Sequence, residues 1–357
     1  MSSRRRLSVG ALALGVLVFS NVSAGAQSTT PVTAPAFNCA SSFNPYKVAD
    51  SILDRCGLKH FPLLAVTTRP DGGKEYVYLV ENQRTTYRVP PPSFNGLRAN
   101  PEQLDYYGFP PRPTSAAELA PWIAMMSNLH PVVPPRSLIE VKIKADATSS
   151  SWSGFVANSS CNSSCTFAEA YYNEPQYTGS CPHSDAAAIW AGIGGWNNGN
   201  LLGQDGTGYH FVAMSNHEAW YQTDPNGYAV AQPLFGNVGY GFIAKTQWVA
   251  GSGWHFYMYD YYTGNFVSPN VAASSADLST ADFIVERPTN NGVRQDLSDY
   301  YYTTFNDAWV NGTGSGNGVG SYPHFAVQMW NGSHKLADTS GTSNNGQTFT
   351  DYWHLCE

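Results

Sequence analysis

The stretch "GFIAKTQWVAGSGWHFYMYDYY", residues 241–262, decides the fold class of this chain. Two runs rich in aromatic and β-branched residues are separated by glycine and serine, a composition typical of strands joined by a turn. Similar runs recur beyond Trp152: "SGFVAN", "AIWAGIGG", "GYHFVAM", "ADFIVE", "HFAVQMW" and "TFTDYW". Many short strands with frequent turn signals predict an antiparallel sandwich or barrel, and roughly 200 residues are enough for one such domain.

The N-terminus predicts export from the cell. "MSSRRRLSVGALALGVLVFSNVSAGAQ" has a basic head, an apolar run from Leu7 to about Phe19 and an Ala-Gly-Ala site. This pattern is typical of a secretory signal peptide, residues 1–26, and the apolar run is too short to span a bilayer comfortably. We expect a secreted, extracellular, soluble protein that does not bind membranes.

A proline-rich segment follows. Residues 27–136 contain "VPPPSFNG", "FPPRPT" and "HPVVPPRS", which favours a loosely packed pro-region over a dense core. "IEVKIK", residues 139–144, alternates as one strand, and "ADATSSS", residues 145–151, is small and polar enough for an exposed cleavage site. The predicted organisation is therefore a signal peptide (1–26), a pro-region (27–146) that is removed on maturation, and a β-sandwich domain (147–357).

Charge separates the same two parts. Residues 27–146 have 12 Lys and Arg against 10 Asp and Glu, whereas residues 147–357 have 4 against 16. An acidic domain is not suited to nucleic acid or to an anionic membrane. It suits an acid medium, where protonated carboxyl groups no longer repel each other, although solubility alone explains the composition equally well.

All six cysteines follow the signal peptide, which predicts disulfides in an oxidising compartment. Cys161 and Cys165 resemble a metal-binding pair only weakly, since no second pair follows. Cys39 paired with Cys56, and two bridges among the other four cysteines, would let a pro-region leave. The sequence predicts neither a metal nor a cofactor.

Familiar hydrolase motifs are missing. No G-x-S-x-G occurs, "HEAWY" at 217–221 lacks the second histidine of H-E-x-x-H, and the glycine-rich 311–321 lacks the ending of a phosphate loop. Carboxylate and amide chemistry remain. In "STADFIVERPT", residues 279–289, Asp282 and Glu286 share one face of a strand, which is either a solvated edge or the wall of a cleft. In residues 189–211, a hairpin turn near Asn198 would place Gln204 opposite Gly192 and diagonal to Trp190.

These motifs resemble the glutamic peptidases, or eqolisins, exported acid proteases with a catalytic glutamine and glutamate. The matching positions run from about residue 150 to the C-terminus and are Trp152, Gly154, Trp190, Gly192, Ile193, Gly195, Gln204, Gly206, Ala219, Trp220, Tyr221 and Ala281 to Glu286. The resemblance implies a jelly-roll-like (concanavalin-like) sandwich of two antiparallel sheets. It also implies a monomeric, zymogen-derived acid endopeptidase acting on proteins or peptides.

The resemblance assigns roles to individual residues. Glu286 would be the general base and acid, and Gln204 would stabilise the oxyanion. Trp190 and Trp220 would line the substrate groove, although core packing explains them equally well. Two positions depart from the family pattern: Gly194 and Gln222 stand where the family often has acids.

Two other functions fit the composition. A carbohydrate-binding module would stack its aromatic rings on sugars and would need neither Gln204 nor Glu286. A glycoside hydrolase would use Glu286 and Glu218 as paired carboxylates, roughly 5 to 9.5 Å apart. Neither explains why Trp190, Gln204 and Glu286 occur in these motifs.

Overall fold

The computed structural model describes residues 44–141, 143–144, 150–178, 181, 185–196, 201–210, 217–223, 228–290, 292–314 and 316–357. The predicted signal peptide, the first part of the pro-region, Cys39, the turn around Asn198 and most of the predicted cleavage segment lie outside these residues.

The described pro-region, up to residue 144, contains three short helices and six strands. The helices are α1 (Asp50–Arg55), α2 (Pro101–Tyr106) and α3 (Ala116–Ser127). The strands are β1 (His60–Thr68), β2 (Lys74–Val80), β3 (Gln83–Val89), β4 (His130–Pro131), β5 (Ser137–Val141) and β6 (Ile143–Lys144). The helix starts follow from capping: the Asn100 and Ser115 side chains accept hydrogen bonds from backbone N–H groups in the first turns of α2 and α3.

The remainder of the described chain is built from strands and short 3₁₀ turns. The strands are β7 (Trp152–Ala157), β8 (Phe167–Asn173), β9 (Asp185–Ile193), β10 (Gly203–Tyr209), β11 (Glu218–Thr223), β12 (Ala229–Phe235), β13 (Gly241–Val249), β14 (Gly253–Asp260), β15 (Asn265–Val267), β16 (Pro269–Val271), β17 (Ala281–Glu286), β18 (Thr289–Asn290), β19 (Val293–Arg294), β20 (Asp296–Leu297), β21 (Tyr302–Val310), β22 (His324–Val327), β23 (Met329–Asn331), β24 (His334–Thr339) and β25 (Phe349–Trp353). The stretch 241–262 forms the hairpin β13–β14, with Phe242 opposite Asp260 and Val249 opposite Gly253.

Most of the strands form two antiparallel sheets, as predicted, and these sheets share β1. Strands β6, β18 and β19 form a small separate antiparallel sheet, and β4 and β20 pair parallel to β15 and β9. The first sheet runs β22–β7–β17–β9–β10–β11–β12–β5–β1. The second runs β1–β2–β3–β16–β14–β13–β8–β21–β25–β24–β23. Between them lies an aromatic and aliphatic core that includes Ile189 and Phe283 from the first sheet and Phe242, Phe256 and Phe305 from the second. Each such side chain contributes about 1.5–3 kcal/mol by its burial, and the fold is the jelly-roll-like sandwich expected.

The described part of the predicted pro-region is not loosely packed, which corrects the expectation drawn from its prolines. Strands β1 and β5 extend the first sheet, and β2 and β3 extend the second. Helices α2 and α3 contribute Leu104 and Trp122 to a buried cluster that includes Tyr257 and Phe266 of the second sheet. Proline therefore marks the connections between well-packed elements here.

Disulfides close two loops of the described chain. Cys161 pairs with Cys165, and Cys181 pairs with Cys356. This confirms two bridges among those four cysteines and excludes the weak metal reading of the first pair. Cys56 is also disulfide-bonded, while its predicted partner Cys39 lies outside the described residues. No helix in the described part of the chain is long and apolar enough to cross a membrane.

Candidate active site

The candidate site lies on the outer face of the first sheet, where four neighbouring strands carry the motif residues in register. Side chains of paired residues in an antiparallel sheet point to the same face. One row crosses β17, β9, β10 and β11 through Glu286, Ala188, Gly208 and Glu218. A second row, four residues earlier on β17, crosses the same strands through Asp282, Gly192, Gln204 and Gln222.

Small residues form the floor between these polar side chains. A Cβ atom added at Gly192 would come within 2.9 Å of the Trp190 ring and 3.0 Å of the Gln204 Cβ atom. At Gly206, an added Cβ atom would lie 2.0 Å from the backbone oxygen of Ile189. These glycines are therefore required for the close approach of the larger side chains, which explains the pattern W-x-G and Q-x-G physically.

Glu286 is buried at the end of β17, with 1 % of its surface exposed. The indole Nε1–H of Trp190 donates a hydrogen bond of 2.8 Å to its Oε2 atom. This carboxyl group is therefore not at a solvated strand end. The geometry supports the other interpretation of the "ADFIVE" strand, in which Glu286 belongs to the wall of a cleft.

Gln204 is completely buried and lies opposite Gly192, as the hairpin register predicted. Its Nε2 atom donates to Oε1 of Gln222 over 3.0 Å. Its own Oε1 atom accepts no hydrogen bond from the described part of the chain. The amide is thus fixed at one end and keeps an acceptor oxygen for a ligand.

The Trp190 indole stands between the two candidate catalytic residues. Its six-membered ring lies beside Gly192, next to the Gln204 Cβ atom, while its N–H group reaches Glu286. Glu286 and Gln204 therefore share a face without a direct hydrogen bond between them among the contacts described.

Five buried polar atoms on this face find no partner within the described residues. They are Nε1 of Trp152, Oε1 of Gln204, Oε2 of Glu218, Nε2 of Gln222 and Oδ1 of Asp282. A buried polar group without a hydrogen bond costs about 1–3 kcal/mol. Their concentration around the motif residues is typical of a surface made to bind a polar chain.

Two further carboxyl groups on this face are perturbed. Burial raises the pKa of Glu218 well above its ordinary value, against the opposing effect of the hydrogen bond that it accepts from Tyr46. Burial likewise raises the pKa of Asp282, which accepts a hydrogen bond from Thr280. Both groups are neutral in acid medium. The sequence left open whether they belong to the site, and the register places both on its face.

Glu218 and Glu286 occupy one row but are three strands apart. With about 4.8 Å between adjacent strands, their Cα atoms are about 14 Å apart. Their carboxyl groups also have different partners, Tyr46 and Trp190. Retaining and inverting glycosidases need carboxyl groups roughly 5 to 9.5 Å apart, so this arrangement disfavours the glycosidase reading.

The pro-region covers this face. A buried cluster combines Trp190 and Trp220 with Leu53 and Leu58, and Tyr46 packs against it. Both tryptophans are almost fully buried beneath this cover, with exposures of 0 % and 2 %. Their role as groove-lining residues stays a prediction, because in this structure they lie in a cluster with Leu53 and Leu58.

Some contributors to the site were missed by sequence reasoning. Gln222 was noted only as a departure from a pattern, yet it is the hydrogen-bond partner of Gln204. Trp152 was identified only as a match to the family pattern, yet it packs edge-on against Trp190, with ring centroids 4.8 Å apart. The alternation of Glu218, Trp220 and Gln222 along β11 was the available signal, since it places all three on one face.

The fold is an antiparallel sandwich that buries a glutamate and a glutamine on one sheet face. The family model described as the peptidase A4 family matches residues 150–351. This match spans more than half of the chain, and the protein belongs to that family as a glutamic-type endopeptidase.

Solved structures of similar proteins come from the same class. Scytalido-glutamic peptidase with a peptide-based transition-state analogue is 20 % identical, with a TM-score of 0.47 over 57 % of this chain and 98 % of that one. SCP-B of the eqolisin family, in a complex with the tripeptide Ala-Ile-His, is 18 % identical with the same TM-score and coverage. Aspergilloglutamic peptidase from Aspergillus niger is 19 % identical, with a TM-score of 0.40 over 48 % of this chain and 99 % of that one. No curated protein matches the chain.

Proposed function

We propose that this protein is a secreted precursor that matures in acid medium into an endopeptidase with Glu286 and Gln204 as its catalytic pair. The proposal is supported by the burial of both side chains on one outer face of the first sheet, on either side of the Trp190 indole. Protein and peptide chains are the substrates.

Glu286 acts as general base and then as general acid. Its carboxylate takes a proton from a water molecule as the water oxygen bonds to the scissile carbonyl carbon. When the carbon–nitrogen bond breaks, the same carboxyl group returns the proton to the departing amine. A glutamate in water titrates near about 4.3, so this chemistry is best matched to acid pH.

Gln204 stabilises the charge that develops on the carbonyl oxygen. Its Nε2 atom has two hydrogens, and one of them is used by Gln222. The other is available to the oxyanion, while the unpartnered Oε1 atom can hold the attacking water. The hydrogen bond to Gln222 fixes the amide orientation that both tasks require.

The pro-region keeps the precursor latent. Tyr46, Leu53 and Leu58 lie in or against the cluster that covers Trp190 and Trp220, so a substrate cannot reach this face until the segment leaves. Because Ile143–Lys144 pairs with Thr289–Asn290, the junction to the mature domain runs close to the chain that follows Glu286.

The test is acid incubation of the purified precursor, wild type beside Glu286→Gln, with a denatured protein as substrate. We expect the wild type to lose its N-terminal segment and to cleave the substrate. Glu286→Gln should lose about 10²- to 10⁴-fold in rate, and Gln204→Ala about 10²- to 10³-fold.

Glu357→Gln is the matched control, because this exposed glutamate contacts His334 at the far C-terminus. It should retain wild-type activity. Wild-type activity in Glu286→Gln would end the assignment of the base, and an inactive, intact wild type across acid pH would overturn the proposal.

A further inference from the structure

Tyr46 of the pro-region makes a specific polar contact on the proposed substrate face. Its hydroxyl group donates a hydrogen bond of 3.1 Å to Oε1 of Glu218, a residue 172 positions away in the chain. Glu218 is 2 % exposed, and its second oxygen, Oε2, has no partner in the described structure. The Tyr46 hydroxyl group therefore uses only one of the two carboxyl oxygens of Glu218, and the other can still form a hydrogen bond.

The local sequence presents the Tyr46 side chain rigidly. Pro45 begins a 3₁₀ turn, Pro45–Lys47, and the Asn44 side chain accepts a hydrogen bond of 2.9 Å from the Tyr46 backbone N–H. The aromatic ring packs against the cluster around Trp220 and Leu53. A turn with a fixed φ and a side-chain cap loses little further entropy when its tyrosine binds.

Space beside Glu218 is provided by the floor of the site. The residue paired with Glu218 on β10 is Gly208, which has no side chain. The next residue of the row is Ala188 on β9. Glu218 and Glu286 therefore stand at the two ends of a row whose intervening residues are small. The separation of about 14 Å corresponds to about four residues of an extended chain.

The carboxyl group of Glu218 favours a neutral partner. In acid medium, burial keeps this group protonated, so it offers one acceptor and one donor and no charge. A tyrosine hydroxyl can use both. A lysine or arginine would lose its hydration without gaining an opposite charge, and a phenylalanine would leave the buried carboxyl group unpaired.

We propose that Glu218, together with the apolar cluster around Trp220, forms a subsite for a substrate tyrosine about three to four residues from the scissile bond, and that Tyr46 occupies this subsite in the precursor. This inference rests on the proposed function. It identifies Glu218 as a residue that determines specificity, whereas Glu286 and Gln204 carry out the chemistry.

The experiment uses enzyme matured from the full chain at acid pH. A set of synthetic peptides carries the same cleavable sequence with one tyrosine moved from position to position, each beside its phenylalanine counterpart. At one position, three to four residues from the cleaved bond, we expect tyrosine to raise kcat/KM about tenfold over phenylalanine, the size of one hydrogen bond to a buried group.

Variants at Glu218 separate specificity from folding. Glu218→Leu should bring the tyrosine-to-phenylalanine ratio to about one, and Glu218→Gln, which keeps one acceptor and one donor, should retain most of the preference. A ratio near one at every position in active wild-type enzyme would overturn the subsite and leave the peptidase proposal intact. Failure to cleave any peptide would overturn both.

The precursor supplies a second readout, and its first arm, Tyr46→Phe, needs no change at Glu218. Tyr46→Phe should speed loss of the pro-region at acid pH by about tenfold, and Glu218→Gln should speed it less. Adding Tyr46→Phe to Glu218→Leu should cause no further acceleration, because the contact is already lost. Independent, multiplying effects of the two changes would show that Tyr46 and Glu218 do not act as a pair and would overturn the inference.

Discussion

At the scale of single residues, the site is dominated by polar groups that the fold has removed from water. A buried carboxylate is stable only where hydrogen-bond donors replace its hydration. For Glu286, the described contact of this kind is the Trp190 indole, whose ring also separates the carboxylate from Gln204. If Glu286 is the base proposed above, we expect Trp190 to act through it as a positioning residue.

Replacing Trp190 with phenylalanine tests this positioning role. The change keeps an aromatic ring beside Gly192 and removes the N–H donor to Glu286. A hydrogen bond to a charged group contributes about 1.5–3 kcal/mol, so we expect kcat to fall about 10- to 100-fold. The measurement is the pH profile of kcat, which should change shape as well as height if the carboxylate has lost a donor.

Trp248→Phe is the matched control. Trp248 lies on the second sheet and packs edge-on against Trp254, with ring centroids 5.0 Å apart, so the same change there should leave the profile unaltered. An unchanged profile in Trp190→Phe as well would show that the indole N–H has no part in catalysis.

The same residues show how far sequence reasoning reaches. Alternation along β9, β10 and β17 was enough to predict that Gln204 faces Gly192 and that Asp282 and Glu286 share a face, because these relations follow from strand geometry. The Tyr46–Glu218 hydrogen bond joins segments 172 positions apart. Such a contact depends on how the whole chain folds back, and no local pattern encodes it.

At the scale of secondary-structure elements, the pro-region acts as a donor of strands to both sheets. "KEYVYLV" at Lys74–Val80 contains the apolar, aromatic and β-branched run YVYLV, which is typical of a strand. That run was the signal that could have predicted β2, whereas its pairing with β1 and β3 could be inferred only from the fold.

Removal of the pro-region should expose an edge of the first sheet. In the precursor, β12 pairs with β5 through Ala229 opposite Val141 and Ala231 opposite Ile139. Without β5, these backbone groups face water, and amide protection falls with the loss of their partners. Hydrogen exchange of the segment 229–235 should therefore be at least about tenfold faster in matured enzyme than in intact Glu286→Gln precursor.

Strand β9 is the internal control for this exchange experiment, since it stays between β10 and β17 in both forms. Its protection should not change. Equal exchange of β12 in both forms would mean that another segment covers the edge after maturation or that the strand pairing with β5 does not protect it.

At the scale of the whole molecule, the acidic composition has its physical counterpart in buried carboxyl groups. Asp205, Asp282 and Asp351 are completely buried, and burial raises the pKa of each of them. Residues 147–357 have 16 acids against 4 basic residues. Acid medium relieves both the mutual repulsion of the surface carboxylates and the cost of the buried ones.

Asp351 allows the sign of this pH dependence to be worked out. It bridges the two sheets, accepting hydrogen bonds from Ser153 over 2.6 Å and from Tyr300. Burial raises its pKa to about 7, although these hydrogen bonds oppose the shift. The folded state thus prefers the protonated group. The stability that this preference provides is complete below about pH 4, the ordinary pKa of aspartate, and disappears as pH rises through about 7.

We therefore expect the melting temperature of the protein to fall between pH 4 and pH 8, measured by calorimetry on the inactive Glu286→Gln precursor to avoid self-digestion. Asp351→Asn, which keeps the shape and never ionises, should flatten this dependence and should melt several degrees above its parent at pH 8.

Asp338→Asn should have the opposite effect on the melting temperature. Burial tends to raise the pKa of Asp338, but hydrogen bonds from Lys335 and His354 outweigh it and lower the pKa. Its contribution is present at neutral pH and lost in acid, so Asp338→Asn should destabilise the protein only above about pH 4. If the parent melts at the same temperature from pH 4 to pH 8, the buried carboxyl groups do not adapt this fold to acid.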